Sequence, residues 1–355
     1  MTLIKVVAMP RDPNPYQELL YAPLRRAGVI VRYAGQLTPS RSLNLLLLPL
    51  ELACCRLRRY RVLHVHWTYC FRFTGAAGSP AIARASRGWF GLVLWVATKL
   101  GIRVAWTAHN VLPHDPVFDD DLAARRTLIA ASDLVIAHSR SALQTLERVV
   151  GTPRRSRIIP LGPVTADGLL RLPPPQPSAT RTVLFFGQIA AYKGVEDLLD
   201  ASGAVRGKLR LIVAGRCSDP GLRDRLRALA AAAGSDVALS LGHVPDADLP
   251  ALFNGADAVV YPFRAVTTSS SVILGLSSGR LGIVPDLPAF DDLGDEGVIR
   301  YPAGQAGLAR SLMELAVMPI AELQAKGAAA RTLATRGSWE DIAKQTIDAF
   351  QEITA

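Results

Sequence analysis

Five consecutive hydroxyl residues, Thr267, Thr268, Ser269, Ser270 and Ser271, stand between an apolar strand pattern and an apolar helix pattern. The strand pattern ends at Tyr261-Pro262, the helix pattern stops at Gly279, and a second strand, Leu281 to Val284, begins at once. Hydroxyls and free backbone N–H groups at a helix start after a strand make a seat for an anion, because those N–H groups lack intrahelical partners and the dipole is positive there. A Ser/Thr-capped helix of purely structural purpose is the other reading. A second phosphate candidate lies upstream, where Phe185-Phe186-Gly187-Gln188 closes a strand and Tyr192-Lys193-Gly194 opens a helix. Gly187 lets backbone approach a ligand, and Lys193 can hold a point charge over a phosphate. A lysine at a helix start opposes the dipole, which a bound anion explains better than a plain surface position does. The pattern GxxxxGK[ST] is absent, so this is not a Walker loop.

Histidines supply the second kind of chemistry. His109 follows a strand in WTAHNVLPHD, with His114 and Asp115 close behind. In an open α/β sheet the carboxyl end of a strand faces the ligand crevice, where a histidine can bond a polar substrate or act as acid or base. A histidine that ties down its own loop is the structural alternative. Metal binding is disfavoured, since no third ligand has suitable spacing. His64 and His66 flank Val65 near another strand end. The pair is expected to diverge, with His66, beside Trp67, the one that reaches the crevice. The loop MPRDPNPYQELLY after the first strand offers Arg11, Asp12, Asn14, Tyr16 and Gln17 to an acceptor. Asn14 can instead cap a helix whose first residue is Pro15.

The elements that must position these residues alternate throughout. In the first part the strands are Ile4 to Ala8, Val29 to Tyr33, Val62 to Val65, Arg103 to Trp106 and Leu134 to Ala137. The helices between them are Tyr16 to Ala27, Leu43 to Leu57 (interrupted at Pro49), Ala81 to Leu100, Leu122 to Ala131 and Ser141 to Val149. The rhythm breaks over 160–180, where PLGP and LPPPQPS read as a linker. It restarts at Thr182 to Phe186 and runs through strands at Leu209 to Ala214, Val237 to Leu241 and Ala258 to Tyr261. A last helix, Ser338 to Ile353, closes the chain. The expected domains are 1–165, a linker at 166–180, 181–337, and a helix at 338–355 that packs back on the first domain. This is α/β, with two doubly wound parallel sheets and a ligand in the cleft between them.

The composition agrees with that size and chemistry. A chain of 355 residues suits two cores rather than one. The net charge of +10 suits anionic partners such as nucleotide phosphates or acidic membrane. Nucleic acid is disfavoured, because no basic block is interleaved with aromatics and no recognition signature appears. Arg41 to Arg61, with its leucines and arginines, and Arg84 to Lys99, with Trp89, Phe90 and Trp95, could rest on a membrane surface. Core helices with solvated ends are the alternative. Cys54, Cys55, Cys70 and Cys217 show neither metal spacing nor a disulfide framework. With no leader pattern and no run of about 20 apolar residues, the expected location is the cytoplasm, at most peripheral on the inner membrane face.

Together FFGQIAAYKGVEDLL, VAGRCSDPGL, GHVPDADLPALFNGADAVVYPF and GRLGIVPDLPAF, with HVHW, TAHN and ASDLVIAHS before them, resemble a GT-B glycosyltransferase of the family 4 type, closest to bacterial polysaccharide members. The resemblance implies transfer of a sugar from a nucleoside-diphosphate sugar to a hydroxyl acceptor (a glycan, lipid-linked sugar or secondary metabolite), with retention and without a metal. By this resemblance Lys193 meets the donor diphosphate and His109 lies beside the transferred sugar. Thr267 to Ser271 underlie the phosphates, and Val244 meets the nucleotide base. The family's two glutamates, eight residues apart, are replaced by Val266 and Leu274. Its arginine after the strand glycine is Gln188, which leaves Arg216 or Arg264 to compensate. Two alternatives stay open: an inverting transferase making a β-linkage, with Asp12 a candidate base, and a degenerate GT-B protein that binds nucleotide or glycan without turnover.

Overall fold

The computed structural model describes residues 3–12, 14–113, 115–164, 166, 168–234 and 236–355. In chain order the first elements are β1 (Lys5–Met9), α1 (Pro15–Arg26), β2 (Ile30–Tyr33), α2 (Arg41–Leu57), β3 (Val62–Val65), α3 (Pro80–Lys99), β4 (Arg103–Thr107), α4 (Asp121–Ala131), β5 (Leu134–Ala137), α5 (Arg140–Val149) and β6 (Ser156–Ile158). The second series is β7 (Arg181–Phe186), α6 (Val195–Ser202), β8 (Leu209–Ala214), α7 (Pro220–Ala233), β9 (Val237–Ser240), α8 (Leu249–Asn254), β10 (Ala258–Val260), α9 (Ser270–Ser277), β11 (Leu281–Pro285), β12 (Val298–Tyr301), α10 (Gln305–Val317) and α11 (Ile320–Ala334), followed by α12 (Trp339–Thr354). Two units result: unit 1 is Met1–Leu161 with Ser338–Ala355, and unit 2 is Gly162–Gly337.

Unit 1 holds a parallel sheet of order β2-β1-β3-β4-β5-β6. Strand alternation divides its core. Val7, Met9, Leu63, Val65, Val104 and Trp106 face the layer of α2, α3 and α4. Val6, Ala8, Val62 and Ala105 face the layer of α1 and α12, where Tyr21, Ile342, Ile347 and Phe350 pack. Chain direction in the sheet order reverses between β1 and β3, so the loops after those two strands part and open a crevice. Pro49 does not interrupt α2, which runs unbroken from Arg41 to Leu57 with Pro49 inside it. The apolar face of a 17-residue helix outweighs one lost backbone bond. Strand β6, with its short and polar Ser156-Arg157-Ile158, carried too weak a pattern to be read from sequence.

Unit 2 holds a parallel sheet of order β12-β11-β10-β7-β8-β9, the dinucleotide-fold order, whose reversal falls between β7 and β10. The proline-rich stretch belongs to this unit. Buried Arg280 donates to Pro173 O at 2.9 Å, Arg331 to Leu172 O at 2.8 Å and Gln324 to Pro175 O at 2.9 Å. Burial, with Arg331 close by, lowers the Arg280 guanidinium to about 10. Strand β12 and helices α10 and α11 were not foreseen, because the residues after Pro285 carry no strong start signal.

Candidate functional site

Each unit has a candidate site at the carboxyl ends of its strands. In unit 2 it lies where β7 and β10 part. The loop after β7 carries Gly187, Gln188 and Lys193, and the loop after β10 carries Phe263, Arg264 and the hydroxyl run. The two loops are joined by Arg264 N donating to Tyr192 O at 2.9 Å. Gly194, at φ 66°, must be glycine, since a Cβ there would lie 1.8 Å from Pro262 O. Gly215 after β8 sits as tightly, with a Cβ position 1.8 Å from Gly187 O. Backbone without side chains is therefore gathered at one point of the sheet edge.

The hydroxyl run does not cap its helix in the ordinary way. Ser269 is the N-cap residue of α9, yet its side chain accepts no backbone N–H; its hydroxyl instead pairs with Ser271 Oγ at 2.8 Å. Asn14, Ser40, Ser79, Asp120, Ser139, Asp219 and Ser338 cap their helices through the side chain, whereas α6, α8, α10 and α11 lack such a cap as α9 does. The α9 terminus thus keeps N–H groups that no cap side chain satisfies. Ser271 Oγ lies 3.5 Å from where a Gly187 Cβ would stand, which brings the run against the β7 loop. Thr267 and Thr268 are half-buried beside it and Ser270 is exposed.

Lys193 is half-buried, with Nζ 3.8 Å from the centre of the Phe263 ring and 5.2 Å from that of Tyr192. Burial lowers its ammonium to about 8. Arg264 is not a spare cation: its guanidinium grips Asp197 with two bonds of 2.7 Å, and Glu196 stands 3.7 Å away. Of the two proposed substitutes for the charge missing at exposed Gln188, Arg216 is the better placed. It lines a cavity of about 640 Å³ with Ser218, Arg223, Arg227, Gly242 and His243, next to Val244 and beyond β8 and β9. Val266 and Leu274, where the resemblance expects glutamates, pack on the unit 2 core.

In unit 1 the site lies where β1 and β3 part. Asp12 accepts from Asn14 N at 2.7 Å and from the Tyr69 hydroxyl. Asn14 accepts from Tyr16 N at 3.0 Å and so caps α1. Gln17 is buried and holds the loop, donating to Pro10 O at 2.6 Å and accepting from Asp12 N at 3.0 Å. Arg11 lies over the Tyr33 ring at 5.8 Å. Tyr16 is buried, its ring edge-on to those of His66, His109, His138 and Trp339. Trp67 stacks on His109 with centroids 4.5 Å apart. His114 lies outside the described residues; Asp115 is exposed.

His64 and His66 do not diverge. Residues two apart on a strand share a face, and both rings bond the Tyr21 hydroxyl, His64 Nδ1 at 2.8 Å and His66 Nε2 at 2.7 Å. Ala8 and Ala105, the strand neighbours of His64, leave room for them. His66 continues through Nδ1 to His109 Nε2 at 3.1 Å, and His109 Nδ1 to His138 Nε2 at 3.2 Å. Burial disfavours the charged form of all four rings: His64 falls to about 3, His66 and His109 fall well below the ordinary imidazole range, and His138 falls below it. Buried Arg125, held by Val111 O and Thr68 Oγ1 at 3.1 Å, opposes a proton on His109 as well. Tyr21, Thr107 and His138 were not singled out from sequence, and His64 was passed over in favour of His66. The signal was present, since HVH, TAH and AHS each close a strand of the same sheet. Among the described residues no group of three or more His, Cys, Asp or Glu side chains could hold a metal ion.

Comparison with known proteins makes the chain a glycosyltransferase with the GT-B fold. Residues 180–317 match the family model described as "Glycosyl transferases group 1". Among relatives, the "GDP-mannose:glycolipid 4-beta-D-mannosyltransferase" of Xanthomonas campestris pv. campestris is 28% identical over 269 residues, 69% of this chain and 68% of that protein. Among solved structures, sucrose-phosphate synthase from Thermosynechococcus elongatus superposes with a TM-score of 0.73 at 18% identity, over 99% of both chains. Anabaena HepE in complex with UDP does so at 0.70 and 14% identity, over 99% of this chain and 100% of that one.

Proposed function

We propose that this glycosyltransferase moves a mannosyl or related hexosyl group from a nucleoside-diphosphate sugar to a hydroxyl of a glycan or lipid-linked acceptor, with inversion at the anomeric carbon. One observation carries the donor half: the α9 terminus without a side-chain cap, beside Gly187, with Lys193 over Phe263 in the loop that leads to it. Departure of the diphosphate builds negative charge, and fixed N–H groups with a nearby ammonium stabilise it without reorganising. In this reading the protein supplies the positive field and no metal is needed. The cavity beside Val244 takes the nucleoside, and the donors of Arg216 and its neighbours suit a base edge rich in acceptors, such as guanine.

Stereochemistry is supported by chemistry rather than fold. GDP-mannose carries its sugar in α-linkage, so the 4-β product in the relative's name requires inversion. The carboxylate pair of the retaining resemblance is also absent, replaced by Val266 and Leu274. An inverting displacement needs a base on the acceptor hydroxyl, and the unit 1 crevice offers Asp12 and His109.

A lipid-linked acceptor fits the outer face of α2 and α3. Leu46, Leu50 and Leu57 are 50%, 66% and 85% exposed and Trp95 is 57% exposed, with Arg58, Arg59 and Lys99 nearby in sequence. Trp89 and Phe90 do not join them: Phe90 is in the core, and Trp89 donates to Leu45 O at 2.9 Å. No helix among the described residues is long and apolar enough to cross a membrane. In this reading the chain rests on the inner, anionic face of the plasma membrane. Sedimentation with anionic liposomes at low salt then carries the protein down, and a wholly unbound protein contradicts the membrane part.

Thermal-shift measurement with GDP-mannose, UDP-glucose and dTDP-glucose tests the donor half. A donor at about 100 times its Kd stabilises by about 2.7 kcal/mol. The expected result is a rise with at least one sugar nucleotide, GDP-mannose first. No rise with any of them contradicts the reading. Binding without transfer or donor hydrolysis, across a panel of acceptors, favours the degenerate alternative.

A further inference from the structure

Among the described residues, one chain of polar contacts joins the unit 1 histidines. In order they are Ile159 O to His138 Nδ1 at 3.0 Å, His138 Nε2 to His109 Nδ1 at 3.2 Å, and His109 Nε2 to His66 Nδ1 at 3.1 Å. His66 Nε2 then meets Tyr21 Oη at 2.7 Å, Tyr21 Oη meets His64 Nδ1 at 2.8 Å, and His64 Nε2 meets Thr107 Oγ1 at 2.8 Å. Every neutral imidazole has one N–H and one lone pair, and the tyrosine has a single O–H. Each bond therefore fixes the next. One end is free to choose, since the Thr107 hydroxyl can donate or accept. The other end is not: a carbonyl only accepts.

His138 must then donate from Nδ1, which makes its Nε2 an acceptor for the Nδ1–H of His109. His109 Nε2 accepts from His66 Nδ1–H, His66 Nε2 from the Tyr21 hydroxyl, the Tyr21 oxygen from His64 Nδ1–H, and His64 Nε2 from Thr107. We infer that the carbonyl of Ile159 sets the tautomer of all four histidines, and that His138, His66 and His64 are positioning residues that present His109 with Nδ1 protonated and Nε2 as its lone-pair nitrogen. Burial that disfavours the imidazolium form at all four agrees with this single neutral state. His109 is the only one of the four that is not fully buried. Its Nε2 carries one lone pair, so an acceptor hydroxyl would donate to it only by displacing His66 Nδ1–H. That last step rests on the proposed transfer; the tautomer order does not.

The test is long-range proton–nitrogen correlation on the full chain carrying 15N-histidine, which separates Nδ1–H from Nε2–H imidazole. The chain has six histidines, so single variants assign the signals. At neutral pH, His64, His66, His109 and His138 are each expected as neutral Nδ1–H tautomers. An Nε2–H or doubly protonated state at His66 or His109 overturns the inference. The two ends of the chain must also respond differently. His138→Phe removes the group that reads the carbonyl, so His109, His66 and His64 lose their single tautomer. His64→Phe removes the undirected end, so His66, His109 and His138 keep theirs. If both variants behave alike, the carbonyl is not the organiser. Should His138→Phe fail to fold, the wild-type spectrum and His64→Phe still decide.

Kinetics add a separate reading. His138→Phe is expected to lower kcat about tenfold or more while the KM for the donor changes less than twofold. The expected tautomers in a chain that transfers to no acceptor would retire the transfer reading and keep the relay. Wrong tautomers would retire the relay whatever the activity.

Discussion

Units 1 and 2 share a fold plan and place their sites at equivalent points, the reversal of strand order in a parallel sheet. What they put there is opposite. Unit 2 gathers charge and bare backbone: Lys193, Arg216, glycine turns and a helix start without a side-chain cap. Unit 1 gathers rings without charge, four neutral histidines and two tyrosines, all bonded to one another or packed edge to face. An open sheet thus offers one address and two uses for it. A site that holds an anion can leave donors exposed, because the ligand completes them. A site that handles a proton must fix which nitrogen holds it, and so satisfies its groups internally.

The comparison breaks first at Lys193. In the proposed reading Lys193→Ala removes an ammonium from beside the departing diphosphate and should lower kcat/KM by about 10²–10³, as loss of one preorganised donor does elsewhere. A fall of less than threefold would mean that the backbone seat works alone. The next effect is on pH. The Lys193 ammonium lies at about 8 in the free protein, below its ordinary value, because burial disfavours the charge. An anion binds the protonated form, so affinity is full below pH 8. Above it, Kd for GDP should rise by up to about tenfold per pH unit. Calorimetric titration from pH 6.5 to 9.5 checks this, and Lys193→Arg should flatten the profile.

Unit 1 is expected to fail through stability rather than binding. Tyr21→Phe leaves His64 Nδ1 and His66 Nε2 without their shared partner and should cost about 2 kcal/mol in urea unfolding, with GDP affinity unchanged. Weaker GDP binding without loss of stability would erase the contrast between the units. The smallest effect separates two serines. Ser139 accepts from Ala142 N at 3.0 Å as a true cap, so Ser139→Ala should cost about 1 kcal/mol. Ser269 caps nothing through its side chain, so Ser269→Ala should leave unfolding almost unchanged and weaken GDP binding severalfold. Equal losses of stability would make α9 an ordinary capped helix.

Sequence carried the alternation and most strand positions, because buried parallel strands are short apolar runs between turn residues. Val62–Val65, Leu134–Ala137 and Leu209–Ala214 were legible to the residue. The hydroxyl run and Lys193 could be picked out as phosphate candidates because both depend on local order along the chain. The histidine relay was not. It depends on which side chains three separate strands send to one face, and on Tyr21 arriving from α1. Period-two alternation puts His64 and His66 together, yet nothing local to either says that a tyrosine hydroxyl bridges them. Arg264 illustrates the converse: its sequence position suits a phosphate, and only the fold brings Asp197 to neutralise it.

The division of labour between a charged donor seat and a neutral proton-handling crevice has its most direct test in the product. Incubation with GDP-α-mannose and a lipid-linked glycan acceptor, followed by NMR of the anomeric carbon–proton coupling, reads the stereochemical course. A β-mannoside is predicted, formed by one displacement with a unit 1 base. An α-mannoside would contradict the account.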